Sequence, residues 1–132
     1  MFDTQYNTNL AAEFHVMSVL HRLGADAALT LGNKKSVDIA VIKAAGEAIT
    51  IDVKGLAGTT SWPVDNVKKY KKGHFLVFVC FVGKIGKPEV APEIWVVPSM
   101  ELEPLVYNSS KGRRVVPRGT LRNKGAKYKD AW

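Results

Sequence analysis

The spacing of apolar residues changes along this chain, and each change marks an element. Leu10, Phe14, Met17 and Leu20 recur at helical spacing, which predicts an amphipathic helix with these four facing inward. Asn7 or Thr8 is placed to cap it, the helix runs to about Leu23, and Gly24 stands where helices commonly end. Residues 25–31 predict a short strand, and Gly32-Asn33-Lys34-Lys35-Ser36 reads as a turn. Residues 37–42 and 48–53 are apolar and rich in β-branched side chains, and the loop 43–47 with Gly46 between them predicts a hairpin.

A second helix is predicted over residues 62–72, with Ser61 as its cap and Pro63 tolerated in its first turn. The continuous apolar run 75–82 suits a strand buried on both faces, residues 94–97 suit another, and 100–106 suit a short helix. Helix, three strands, helix and two strands make an α/β order: a mixed central sheet with helices on both faces. At 132 residues this is one domain, residues 1–132, with a basic C-terminal segment from about 111.

Composition narrows the chemistry. Apolar residues are 46% and charged residues 23%, an ordinary globular balance. The one cysteine, Cys80, lies inside the 75–82 run and is expected buried, so neither a disulfide nor a zinc cluster is in prospect. His15, His21 and His74 have no metal-site spacing. The start of the chain lacks a signal-peptide pattern and no apolar run approaches a membrane span, so a cytoplasmic protein without a membrane partner is expected.

Charge points to a polyanion. The formal net charge is +7, and residues 111–129 hold eight basic residues and no acidic one. Such a block attracts nucleic acid first; its alternative is a solvated, partly disordered tail.

The candidate chemistry sits on the hairpin. A loop centred on Ala45 pairs residues whose numbers sum to ninety, which sets Asp38 opposite Asp52 and Ser36 opposite Lys54. Two carboxylates opposed at about 5 Å repel and destabilise a sheet unless something compensates, and a divalent cation does so. Asp52 and Lys54 are two apart and share a face. Hard oxygen ligands suit magnesium, or manganese in its place. A one-residue slip would dissolve the arrangement, leaving solvated aspartates on an exposed face. Glu13, amid the apolar stripe of the first helix, adds a third carboxylate.

Glu13, Ser36-Val37-Asp38 opening one strand and Asp52-Val53-Lys54 closing the next resemble the PD-(D/E)xK nuclease superfamily, most of all its resolvase-like and small restriction-endonuclease-like branches. Val37 stands where the motif has Pro, and Asp52 where many members carry Glu. The resemblance implies a restriction-endonuclease-like fold and a magnesium-dependent endonuclease acting on nucleic acid, DNA rather than RNA. It implies metal ligation by Asp38, Asp52, the Val53 carbonyl and Glu13, with Lys54 beside the reacting water. For Lys54, stabilising charge is favoured over abstracting a proton.

Lys34, Lys35, Ser36, Lys68, Lys69, Arg113 and Arg114 are the candidate nucleic-acid contacts. Trp62 is expected to pack in the core, not stack on a base, and Trp95 and Trp132 to be structural. The other expectations are an inactive nucleic-acid-binding or regulatory module of the same fold, working as a subunit of a larger complex, and a homodimer of the nuclease.

Overall fold

The computed structural model describes residues 4–30, 38–43, 46–65, 67 and 71–132. Helix α1 (Thr4–Arg22) is followed by β1 (Ala27–Leu29), β2 (Ile39–Ile42), β3 (Ala48–Leu56), β4 (Ser61–Pro63), β5 (His74–Cys80) and β6 (Glu93–Pro98). Two 3₁₀ turns, β7 (Tyr107–Asn108), β8 (Arg114–Pro117), the short helix α2 (Arg118–Asn123) and a last 3₁₀ turn complete the chain. The protein is α/β: a five-stranded mixed sheet in the order β1-β2-β3-β5-β6 and a small sheet β4-β8-β7. Only β3 and β5 run parallel in the large sheet.

The α1 helix ends as its sequence requires. Gly24 takes φ +85°, a left-handed conformation, Gly24 N–H donates to His21 O at 3.0 Å and Ala25 N–H to Leu20 O at 2.9 Å, a Schellman closure. Its start and its inward face differ from expectation. The helix begins at Thr4, so Asn7 and Thr8 lie within it and are not its cap. The buried row is Thr8, Ala12 and Val16, with Met17 and Leu20 at its margin, while Phe14 is 57% exposed. The cause is Gly55 on β3: a Cβ there would stand 3.0 Å from Thr8 O and 3.1 Å from Ala12 Cβ. The absent side chain lets the small residues of α1 settle onto the strand, and the larger ones turn outward.

Among the described residues of 62–72, where a second helix was expected, none is helical. Over 61–65 burial alternates, with Trp62 and Val64 buried and Pro63 and Asp65 exposed, which is strand periodicity. Trp62 has no exposed surface; its ring lies edge-on to Phe78 (5.2 Å) and Trp95 (6.0 Å), and its Nε1 donates to Val79 O at 3.2 Å. Pro63 is accommodated because β4 is an edge strand.

Helices therefore do not cover both faces of the large sheet in the way expected. One face, with Ile51, Val53, Val77 and Val79, packs on α1. The other, with Leu76, Phe78, Trp95 and Val97, packs under Trp62 of β4, Val116 of β8, Leu121 of α2, Leu105 of the second of two 3₁₀ turns that replace the expected helix over 100–106, and Leu102 between those turns.

The basic C-terminal segment is folded. Arg113, Arg114, Arg118 and Lys127 meet Asp65, Glu103, Glu93 and Glu101 at 2.7, 2.7, 2.9 and 3.8 Å. Cys80 is buried as expected, its thiol donating to Gly58 O at 3.1 Å. Trp95 is buried, whereas Trp132, expected to be structural, is 39% exposed. Among the described residues no helix is long and apolar enough to cross a membrane.

Candidate active site

The hairpin forms in the register derived from its loop. Ile39 pairs with Ile51, Ala40 with Thr50 and Ile42 with Ala48, so Asp38, one step past the ladder, comes level with Asp52. Gly46, at φ +82°, closes the turn in a conformation only glycine adopts at low cost. Asp38 brackets its partner: its N–H donates to Ile51 O at 2.8 Å and its Oδ2 accepts the Val53 N–H at 2.7 Å.

The β2 ladder stops at Ile39, but β3 continues to Leu56. A cleft of about 430 Å³ opens along that stretch of β3 and wraps around its edge. Alternate residues of β3 face opposite ways. Asp52 and Lys54 point away from α1, towards the Trp62 side, where Pro63, Asp65 and Arg113 form the wall. Glu13 reaches the cleft from the α1 side, together with Gln5 and Asn9. It flanks the buried row of its helix instead of lying within it, one position round from Ala12.

Electrostatically the centre is short of positive charge. Asp52 is only 3% exposed, and its Oδ2 is buried without a hydrogen-bond partner. Lys54 Nζ lies 3.5 Å from that oxygen, an ion-pair distance, but longer than the roughly 2.8 Å of a good charge-assisted hydrogen bond. Burial drives the Asp52 carboxyl up to about 7; Lys54 opposes the rise and the charge of Asp38 adds to it. Glu13 is also held above the usual carboxylate range, by burial first and then by Asp38.

The residues present fit a hard divalent cation. A buried, unsatisfied carboxylate oxygen facing a second carboxylate is a donor set short of a cation, and magnesium needs only one or two carboxylates beside water. Val53 contributes an edge: its N–H points to Asp38, and an extended residue sends its carbonyl to the same side. Among the described residues no group of three His, Cys, Asp or Glu side chains is close enough to hold a metal alone, so water or substrate oxygens would complete any coordination.

No family model, curated protein or solved structure matches the chain.

Asp38, Asp52, Val53, Lys54 and Glu13 thus share one cleft, and Arg113 stands at its rim with its Nε on Asp65 at 2.7 Å. Arg114 lies outside it, half-buried and paired with Glu103. Lys34, Lys35, Ser36, Lys68 and Lys69 fall outside the described residues. Trp62 is packed in the core, and stacking on a base is not open to it.

Sequence reasoning missed Gln5, Asn9 and Asp65 as cleft residues. The first two were findable, standing eight and four positions before Glu13; Asp65 was not, because its role depends on the distant β7–β8 turn. His74, given no role from sequence, is buried at the start of β5 with Nδ1 2.7 Å from Thr50 Oγ1. Burial and then Lys71 lower its pKa, and Asp38 partly opposes them.

Proposed function

We propose that this chain is a magnesium- or manganese-dependent phosphodiester hydrolase of nucleic acid, an endodeoxyribonuclease of restriction-endonuclease-like fold. The observation that carries the reading is Asp52: a buried carboxylate level with Asp38, beside Lys54, at the floor of an open cleft. Burying such a group is costly, and a site that needs a bound cation gives it a reason. The antiparallel hairpin continued by a parallel strand and backed by α1 supports the fold assignment.

Asp38, Asp52 and the Val53 carbonyl would hold the cation, and Glu13 would reach it through water. Once bound, the metal supplies an acidified water and offsets charge on the scissile phosphate. Lys54, with 14% of its side chain exposed, is placed to stabilise the negative charge that grows as the water attacks. Asp65 holds Arg113 where it can meet a phosphate along the strand. Lys34, Lys35, Ser36, Lys68 and Lys69 would extend that contact, and DNA is preferred to RNA on the resemblance alone. Cutting both strands of a duplex at once would call for a homodimer.

A second reading, an inactive nucleic-acid-binding or regulatory module of this fold working within a larger complex, is favoured by two observations. One Asp38 oxygen is already engaged by the Val53 N–H, and among the described residues no three ligating side chains converge. Calorimetric titration with magnesium or manganese chloride at pH 8 separates the readings. The nuclease reading expects binding by the wild type that is lost in Asp38→Ala and Asp52→Ala. No heat of binding from the wild type with either metal leaves the module.

A further inference from the structure

We infer that Gln5 and Asn9 form a binding subsite for the strand beside the reacting phosphate, with the Asn9 amide donating to a phosphate oxygen of the neighbouring nucleotide; the inference rests on the nuclease reading. Gln5, Asn9 and Glu13 occur at every fourth position of α1, and all three line the cleft. That spacing sets them in one row, each roughly 6 Å further along the axis. The row leads from Glu13, beside the carboxylates, out towards the start of the helix. Gln5 and Asn9 are exposed, so this wall is accessible to a ligand.

The pair is polarised as well as placed. Gln5 Nε2 donates to Asn9 Oδ1 at 3.2 Å, which occupies an acceptor on Asn9 and leaves its Nδ2 hydrogens to donate. Neutral donors suit this cleft. Its walls carry Glu13, Asp38, Asp52 and Asp65, and a cation here is drawn into an ion pair, as Arg113 is by Asp65 at 2.7 Å. An amide donates to a phosphate without competing for the carboxylates that the metal needs. Asn and Gln side chains are regular donors to backbone phosphates.

The test is fluorescence anisotropy with a labelled single-stranded DNA oligonucleotide and its matching duplex, calcium replacing magnesium, over a salt series. Asn9→Ala is expected to weaken binding about tenfold while leaving the salt slope unchanged, because a hydrogen bond to a charged group is lost but no charge is removed. Arg113→Ala is expected to flatten the slope by roughly 0.7 to 0.9. Asn9→Asp, whose carboxylate can only accept, is expected to bind more weakly than Asn9→Ala. Asn9 is exposed and alanine is a better helix former, so thermal melts of Asn9→Ala should match or exceed the wild type. Tight wild-type binding with Asn9→Ala within about twofold of it overturns the subsite alone. A wild type that binds neither oligonucleotide overturns the nuclease reading and the subsite with it.

Discussion

Asp52→Asn is expected to stabilise the metal-free protein at pH 8 by on the order of 3 kcal/mol, seen as a melting temperature higher by several degrees in EDTA. The folded state holds the Asp52 carboxyl up at about 7, against 3.8 for the ordinary group. A carboxyl raised by folding favours the protonated form, so its stabilising contribution is complete below about pH 4 and is lost as pH rises towards 7 and beyond. Asparagine is neutral throughout and escapes that loss, so the gain should drop to less than half by pH 5 and fade to little at about pH 4.

Glu13 shifts in the same direction, whereas His15 and His74, both lowered chiefly by burial, remove stability as pH falls below about 6.5. The informative quantity is therefore the difference between wild type and Asp52→Asn across pH. An equal melting temperature for the two proteins at pH 8 in EDTA would mean that Asp52 is not held in a charge-starved site. Magnesium at pH 8 should close the gap from the other side, by stabilising the wild type and not the variant.

Lys54→Met is expected to lower the cleavage rate by about 10² to 10³-fold while leaving metal affinity within a few-fold, since the ammonium acts on charge developing in the transition state. Methionine preserves the unbranched stem and removes only the charge. Because Lys54 opposes the rise of the Asp52 carboxyl, its loss should also move the acidic limb of the pH–rate profile upward. Single-turnover kinetics across pH measures both effects; a variant that cuts at the wild-type rate would remove Lys54 from the chemistry.

The site was more legible in the sequence than the packing around it. Residues 39–42 and 48–56 carry β-branched runs on either side of a loop with Gly46, so strand identity, turn and register all agree, and the pairing of Asp38 with Asp52 follows by counting. The existence of α1 and its end at Gly24 were equally plain. Its inward face was not. Phe14 outweighs Ala12 on any hydrophobic scale, yet Gly55, far away in sequence, admits only the small residues to the close contact.

Residues 61–65 misled because Ser61 and Pro63 imitate a helix start, while the alternation of Trp62 and Val64 with exposed neighbours, the signal that prevails, spans too few positions to compete. The basic segment looked like a tail because the carboxylates that hold it, Asp65, Glu93, Glu101 and Glu103, precede it in the chain. Charge pairing between distant segments has no periodicity to read.

The measurement that bears most directly on the central claim is cleavage of linear duplex, single-stranded and branched DNA in magnesium and in manganese by the wild type beside Asp52→Asn. Metal-dependent cutting by the wild type that falls by at least about 10³-fold in the variant, itself folded and more stable at pH 8, is the predicted result. Equal cutting by both proteins, or none by the wild type with either metal, would contradict the assignment of Asp52 as the centre of a nuclease site.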